Sequence, residues 1–75
     1  MYHYKRIRDL REDNDINQKE IADLLKTTQQ QYCKYELGTR EIPLHHIITL
    51  AKYYNVSLDY LAGLTDTPRP LNSKK

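Results

Sequence analysis

The sequence predicts an all-α domain built from five short helices. Apolar residues recur repeatedly at the 3.6-residue helical period, and no stretch alternates apolar with polar residues long enough to make a half-buried strand. The periodic stretches are also separated by helix-capping residues, although the chain holds only two glycines. At 75 residues the chain is one domain with a core near the lower limit for unassisted folding.

Tyr4, Ile7, Leu10 and Arg11 share one stripe of a first helix, which the run EDNDIN ends. Asn14 and Asp15 within that run tolerate the left-handed conformation that stops a helix. Asn17 opens a second helix, and Glu20 completes an Asn-x-x-Glu capping box. Ile21, Ala22, Leu24 and Leu25 form its apolar side. After a short connection at Lys26 and Thr27, Thr28 caps a third helix, with Gln31 at the reciprocal position of a Thr-x-x-Gln box. Tyr32 and Tyr35 point that helix inward and Gly38 ends it.

Pro43 suits the first position of a fourth helix, where its missing N–H has no partner to lose. Leu44, Ile47, Ile48, Ala51 and Tyr54 follow on one stripe, widened by Leu50, and Asn55 closes it. Ser57 caps a fifth helix carrying Leu58, Leu61 and Ala62, which stops at Gly63. Residues 1–64 therefore form the domain, and residues 65–75, with two prolines and two terminal lysines, read as an extended or flexible tail.

Composition excludes several classes. A single cysteine, Cys33, forms no internal disulfide, so the chain is not a stapled secreted module. The opening MYHYKRIRDL lacks the apolar stretch of a signal peptide, and no apolar run nears the roughly 20 residues of a membrane span. The expected location is the cytoplasm. Lys74 and Lys75 account for the whole net charge of +2, so any affinity for nucleic acid must come from local arrangement rather than from bulk charge. The aromatic residues are seven tyrosines, with no Phe or Trp, and a tyrosine closes a core while its hydroxyl seeks water or a polar partner.

The second and third helices, joined by so short a turn, form a helix-turn-helix, with Ala22 as the small residue at their crossing. The turn KTT lacks the glycine often found there. With Tyr32 and Tyr35 inward, Gln29, Gln30, Cys33 and Lys34 project on the opposite side, near the helix end that enters a DNA major groove. A glutamine amide carries a donor and an acceptor and pairs in bidentate fashion with adenine N6 and N7. Lys34 reaches guanine acceptors or a phosphate, and Cys33 offers a small apolar contact, such as to a thymine methyl. The unpaired N–H groups beside Gln18, at the start of the second helix, offer a phosphate clamp that needs no net charge.

From residue 4 to residue 64 the pattern resembles the Cro/C1-type (XRE) helix-turn-helix family, through LRED, INQKEIADLL, YELGTREIPL and LAKYYNVSLDYLAG. The resemblance implies a five-helix, lambda-repressor-like DNA-binding domain. It implies that Gln18 braces against the DNA backbone and the first recognition residues. The run TTQQ at 27–30 is similar to the start of the recognition helix in lambdoid-phage repressors, whose glutamines read adenine-containing half-sites; this assigns base reading to Gln29 and Gln30. Gln31, Cys33 and Lys34 differ from those repressors and stand as secondary readers. An Arg11–Glu36 ion pair between the first and third helices, and phosphate contacts from Thr39 and Arg40, are implied in the same way. Thr28 joins Gln18, Thr39 and Arg40 among the residues expected to hold the backbone.

The function expected is a sequence-specific, double-stranded DNA-binding transcriptional regulator, a repressor of bacterial or phage type that acts as a homodimer. Helix 5 and the residues after it, notably Tyr60 and Leu64, are the expected dimer surface. The alternative is an antitoxin-like adaptor whose main task is to bind a partner protein. No nucleophile–base pair or phosphate-cradling glycine loop is visible, so neither an enzyme nor a cofactor is expected. His45 and His46 are adjacent and face different directions, and with only His3 and Cys33 besides they make no metal site; they are expected to be solvated. Lys5, Arg6, Arg8 and Lys19 are expected as solvated charges, or as phosphate contacts.

Overall fold

The computed structural model describes residues 4–67; His3 and the part of the expected tail beyond Thr67 lie outside them. The chain forms α1 (Lys5–Asp13), α2 (Gln18–Leu25), α3 (Gln29–Leu37), α4 (Leu44–Tyr54) and α5 (Leu58–Ala62). Among the described residues there is no strand.

Local sequence chemistry sets the boundaries. Asn17 and Glu20 form the full capping box, each side chain meeting the other's backbone N–H. Thr28 and Ser57 accept from the N–H groups of Gln31 and Tyr60. Two start signals differ from expectation. Gln31 does not complete a reciprocal box with Thr28: its amide turns forward one helical turn to the Tyr35 hydroxyl, at 3.4 Å. Pro43 sits one position earlier than expected, as the N-cap, because its ψ of 149° is extended and Leu44 is the first helical residue. Its carbonyl accepts from His46 and Ile47 N–H, which stands in for a side-chain cap.

After each helix comes a residue in the left-handed region: Asp15, Lys26, Gly38, Asn55 and Gly63. The next N–H then reaches back five residues, as from Thr27 to the Ala22 carbonyl and from Thr39 to that of Lys34. In the first of these stops Asp15 is left-handed, while Asn14 donates its side-chain amide to the Leu10 carbonyl.

Lys26 is the residue least suited to this task. It stands where a helix-turn-helix turn often has glycine, and it adopts φ 59° without a short polar side chain to help. The left-handed conformation costs a side chain about 1–2 kcal/mol, and the greater freedom of an unfolded glycine returns about 0.4–1 kcal/mol of that. Lys26→Gly is therefore expected to stabilise the domain by up to about 1.5 kcal/mol, seen as a higher urea midpoint at unchanged slope.

The core is a mixed cluster from all five helices and two loops: Ile7, Ile21, Ala22, Leu25, Tyr32, Tyr35, Ile42, Leu50, Ala51, Val56 and Leu61. Ala22 lies buried in α2, and α2 with α3 forms the most extensive helix pair. The α4 stripe is centred on Leu50 and Ala51 rather than on Leu44, the first helical residue, which is 67% exposed. Of the three apolar α5 residues only Leu61 is buried, since a five-residue helix turns one residue fully inward.

Two tyrosines depart from the expected pattern. The hydroxyls of Tyr32 and Tyr54 are buried and have no hydrogen-bond partner among the described residues. Tyr32 lies near enough to Glu36 to feel its charge, but the two groups miss hydrogen-bond geometry. Burial pushes both phenols well above their ordinary value, so both stay neutral.

Arg6 was expected as a solvated or phosphate-facing charge, and it has a structural task instead. Its guanidinium lies 4.1 Å from the centre of the Tyr60 ring and donates to the carbonyls of Tyr60 and Thr65 and to the Asp66 carboxylate. This ties residues 65 and 66 to α1.

Candidate nucleic-acid interface

Three helices meet behind α3 at one ion pair. Arg11 on α1 donates through Nε to Glu36 Oε2 at 2.7 Å and through Nη2 to Glu36 Oε1 at 3.2 Å. Its Nη1 donates to the Ile16 carbonyl at 2.9 Å. Gln18, opening α2, donates its amide to Glu36 Oε1 at 3.0 Å. The Glu36 side chain is 3% exposed. Burial acts to raise the pKa of its carboxyl, but hydrogen bonds from Arg11 and Gln18, the nearby Tyr32 hydroxyl and the Arg11 charge outweigh burial and hold it below the ordinary carboxylate range. The hydrogen bond to Glu36 likewise raises the Arg11 pKa, against its own burial. The network fixes the roll of α3 about its axis, which decides which α3 side chains face outward.

The outward face is continuous. Gln18 at the start of α2 and Gln29, Gln30, Cys33, Lys34 and Leu37 of α3 line one shallow, open concavity. Gln29, Gln30 and Lys34 are exposed and Cys33 is half-buried. Because Gln18 donates to Glu36, its amide oxygen remains for a neighbour or ligand. Gln31 lies outside this concavity, half-buried, with its amide on Tyr35. Among the described residues the N–H groups of Gln18, Lys19, Gln29 and Gln30 have no acceptor, so both helices of the motif present free donors at their N-termini.

The charge arrangement favours the same face. Lys5, Arg8 and Lys19 are each paired one helical turn away, with Asp9, Glu12 and Asp23, while Arg6 and Arg11 bind Asp66 and Glu36. Among the described residues the cations without an ion-pair partner are Lys26, Lys34, Arg40 and Lys52. The first three lie in the α2–α3 turn, on α3 and in the α3–α4 loop. Three of the four unpaired cations among the described residues thus lie on or beside α3.

The remaining expected residues fall nearby. The Thr28 hydroxyl accepts from Gln31 N–H at 3.1 Å and keeps its own proton to donate. The Thr39 hydroxyl donates to the Lys34 carbonyl at 3.4 Å, so its observed role is to help end α3. Arg40 is exposed in the loop after it. His45 is exposed, but His46 is half-buried with its ring centre 6.0 Å from that of Tyr35. Burial, and then the charge of His45, lower the His46 pKa. Among the described residues no three His, Cys, Asp or Glu side chains converge on a metal position, and no helix is long and apolar enough to cross a membrane.

The profile of a family described as Helix-turn-helix matches residues 7–61, from the core of α1 to the last buried residue of α5. The chain belongs to the Cro/C1-type helix-turn-helix family. Its curated relatives of that type include YobD of Bacillus subtilis (strain 168), named as an uncharacterized HTH-type transcriptional regulator. YobD is 34% identical over 71 residues, covering 95% of this chain and 63% of the relative. The cryptic phage CTXphi transcriptional repressor RstR of Vibrio cholerae is 37% identical over 62 residues, 83% of this chain and 56% of the relative. The HTH-type transcriptional regulator ImmR of B. subtilis is 34% identical over 59 residues, 79% of this chain and 46% of the relative. The chain therefore spans about half to two thirds of the length of the relatives it matches.

On this Cro/C1-type scaffold, sequence reasoning overlooked one residue of the concave face. Leu37 is 59% exposed there, although leucines of such a short chain are needed inside. A signal was present, because Leu37 stands seven residues after Gln30 and four after Cys33, on the same helical stripe.

Proposed function

We propose that this chain is a sequence-specific, double-stranded DNA-binding transcriptional regulator, a repressor acting in the cytoplasm, that reads the major groove with α3. The observation that carries the reading is the shared concave face of Gln18, Gln29, Gln30, Cys33 and Lys34, with free helix N-terminal donors at Gln18 and Gln29 and the unpaired cations Lys26 and Arg40 in the loops on either side of α3. Gln29 and Gln30 take the role of base readers, with Gln31, Cys33 and Lys34 secondary. Because the Gln31 amide is engaged by Tyr35, Gln31 has one polar end left for such a contact. Gln18, Thr28, Thr39 and Arg40 hold phosphates. Repression is favoured by the similarity to RstR, a phage transcriptional repressor.

One such domain covers few base pairs, so useful specificity calls for a homodimer on half-sites about 34–36 Å apart. Tyr60 is less available for the dimer surface than its sequence position suggested, because Arg6 covers its ring. Leu44 and Leu58 line an apolar groove with Tyr4, Ile47 and Ala62, and with Leu64, 78% exposed, they are the candidates.

Selection from a randomised duplex library at moderate salt tests the reading. An enriched two-fold-symmetric motif is expected, whereas no enrichment, with binding lost at physiological salt, would favour the protein-partner alternative. Arg40→Ala is expected to weaken binding to all sequences alike and to reduce the slope of log affinity against log salt by about 0.9. Titrations of one selected and one scrambled duplex across salt concentrations measure both effects.

A further inference from the structure

We infer that Leu37, together with Cys33, forms a methyl-reading apolar end of the recognition surface, so that the half-site carries a thymine there. This rests on the proposed reading of α3 as a groove-binding helix. Leu37 closes the concavity that Gln29 and Gln30 open, and it is 59% exposed on a helix whose tyrosines already supply the inward side. A leucine offers no hydrogen bond to a base edge or phosphate. Of the groups that the four base pairs show in the major groove, the thymine 5-methyl is the one an apolar side chain matches. Cys33, one helical turn earlier and half-buried, adds a second small apolar surface beside it.

The stripe also fixes a direction. At about 1.5 Å per residue, Leu37 stands roughly 10 Å along α3 from Gln30. The amide-reading end and the methyl-reading end of α3 are therefore separate, and the thymine-recognising position should be a different base pair from the adenine-recognising ones in each half-site.

Uracil tests this cleanly, since it lacks the methyl of thymine and keeps the same hydrogen-bonding edge. The full chain and Leu37→Ala are each titrated against duplexes of the most enriched library sequence, with single thymines replaced in turn by uracil. For the unaltered chain one thymine per half-site is expected to matter, its replacement weakening binding about threefold to fivefold. Leu37→Ala should bind the thymine duplex as weakly as the unaltered chain binds the uracil one, and should no longer distinguish the two. Its urea midpoint should stay unchanged, as expected for an exposed side chain. If no thymine replacement weakens binding, or if Leu37→Ala keeps the same thymine preference, Leu37 does not read a methyl, although the glutamine assignment survives. If no sequence is enriched in the first place, the groove-reading assignment fails and this one with it.

Discussion

Arg11→Ala is expected to lower the unfolding free energy by about 3–5 kcal/mol, because it leaves the buried Glu36 carboxylate without its cation. Folded domains are stable by only about 5–15 kcal/mol, and one this small sits toward the lower end, so the variant should be largely unfolded under mild urea. The same network predicts acid sensitivity. The pKa of Glu36 is lower in the folded chain than in the unfolded chain, so its stabilisation is complete above the ordinary value of about 4.3. It is lost as pH falls from there through the depressed folded value. Glu36→Gln should be less stable than the parent near neutral pH, and should lose less stability on acidification to about pH 3. Urea unfolding of both chains at the two pH values checks the sign: a parent whose stability is flat across this range would remove the ion pair from the account.

The second large effect concerns recognition. Removing both Gln29 and Gln30 amides, as the double alanine variant, should reduce affinity for the selected duplex by about 10²–10⁴-fold, at about 1–3 kcal/mol for each bidentate pair, and bring it close to the affinity for scrambled DNA. The fold should be untouched, since both side chains are exposed and neither makes a hydrogen bond among the described residues. Non-specific affinity should also persist, because the free N–H donors and Lys26, Lys34 and Arg40 remain. Binding to one selected and one scrambled duplex separates the two contributions.

Much of the fold could be read locally. Asn17, Thr28 and Ser57 mark helix starts by side-chain chemistry that works within four residues, and Gly38, Asn55 and Gly63 mark stops by their tolerance of positive φ. Lys26 shows the limit of that reasoning, since the tertiary fold imposes a left-handed turn on a residue whose own preference says otherwise. The roles of Arg6 and Gln31 were hidden for a related reason. Arg6 finds Thr65 and Asp66 nearly sixty residues away, and Gln31 chooses Tyr35 over a reciprocal cap; neither choice is visible in spacing alone. The Arg11–Glu36 pair, twenty-five residues apart in sequence, came from family resemblance rather than from pattern. On the recognition face the polar residues stood out by type, whereas Leu37 was masked by the general expectation that leucine is buried.

Whether α3 reads bases is decided by a base-pair scan of Gln29→Ala. Affinities of the parent chain and the variant would be measured against every single base-pair change of the selected half-site. The variant should lose about 1–3 kcal/mol on the parent sequence and become indifferent to one base pair, an A·T pair, while keeping the parent's preferences elsewhere. An equal loss on every sequence, with all preferences intact, would contradict base reading and reduce Gln29 to a backbone contact.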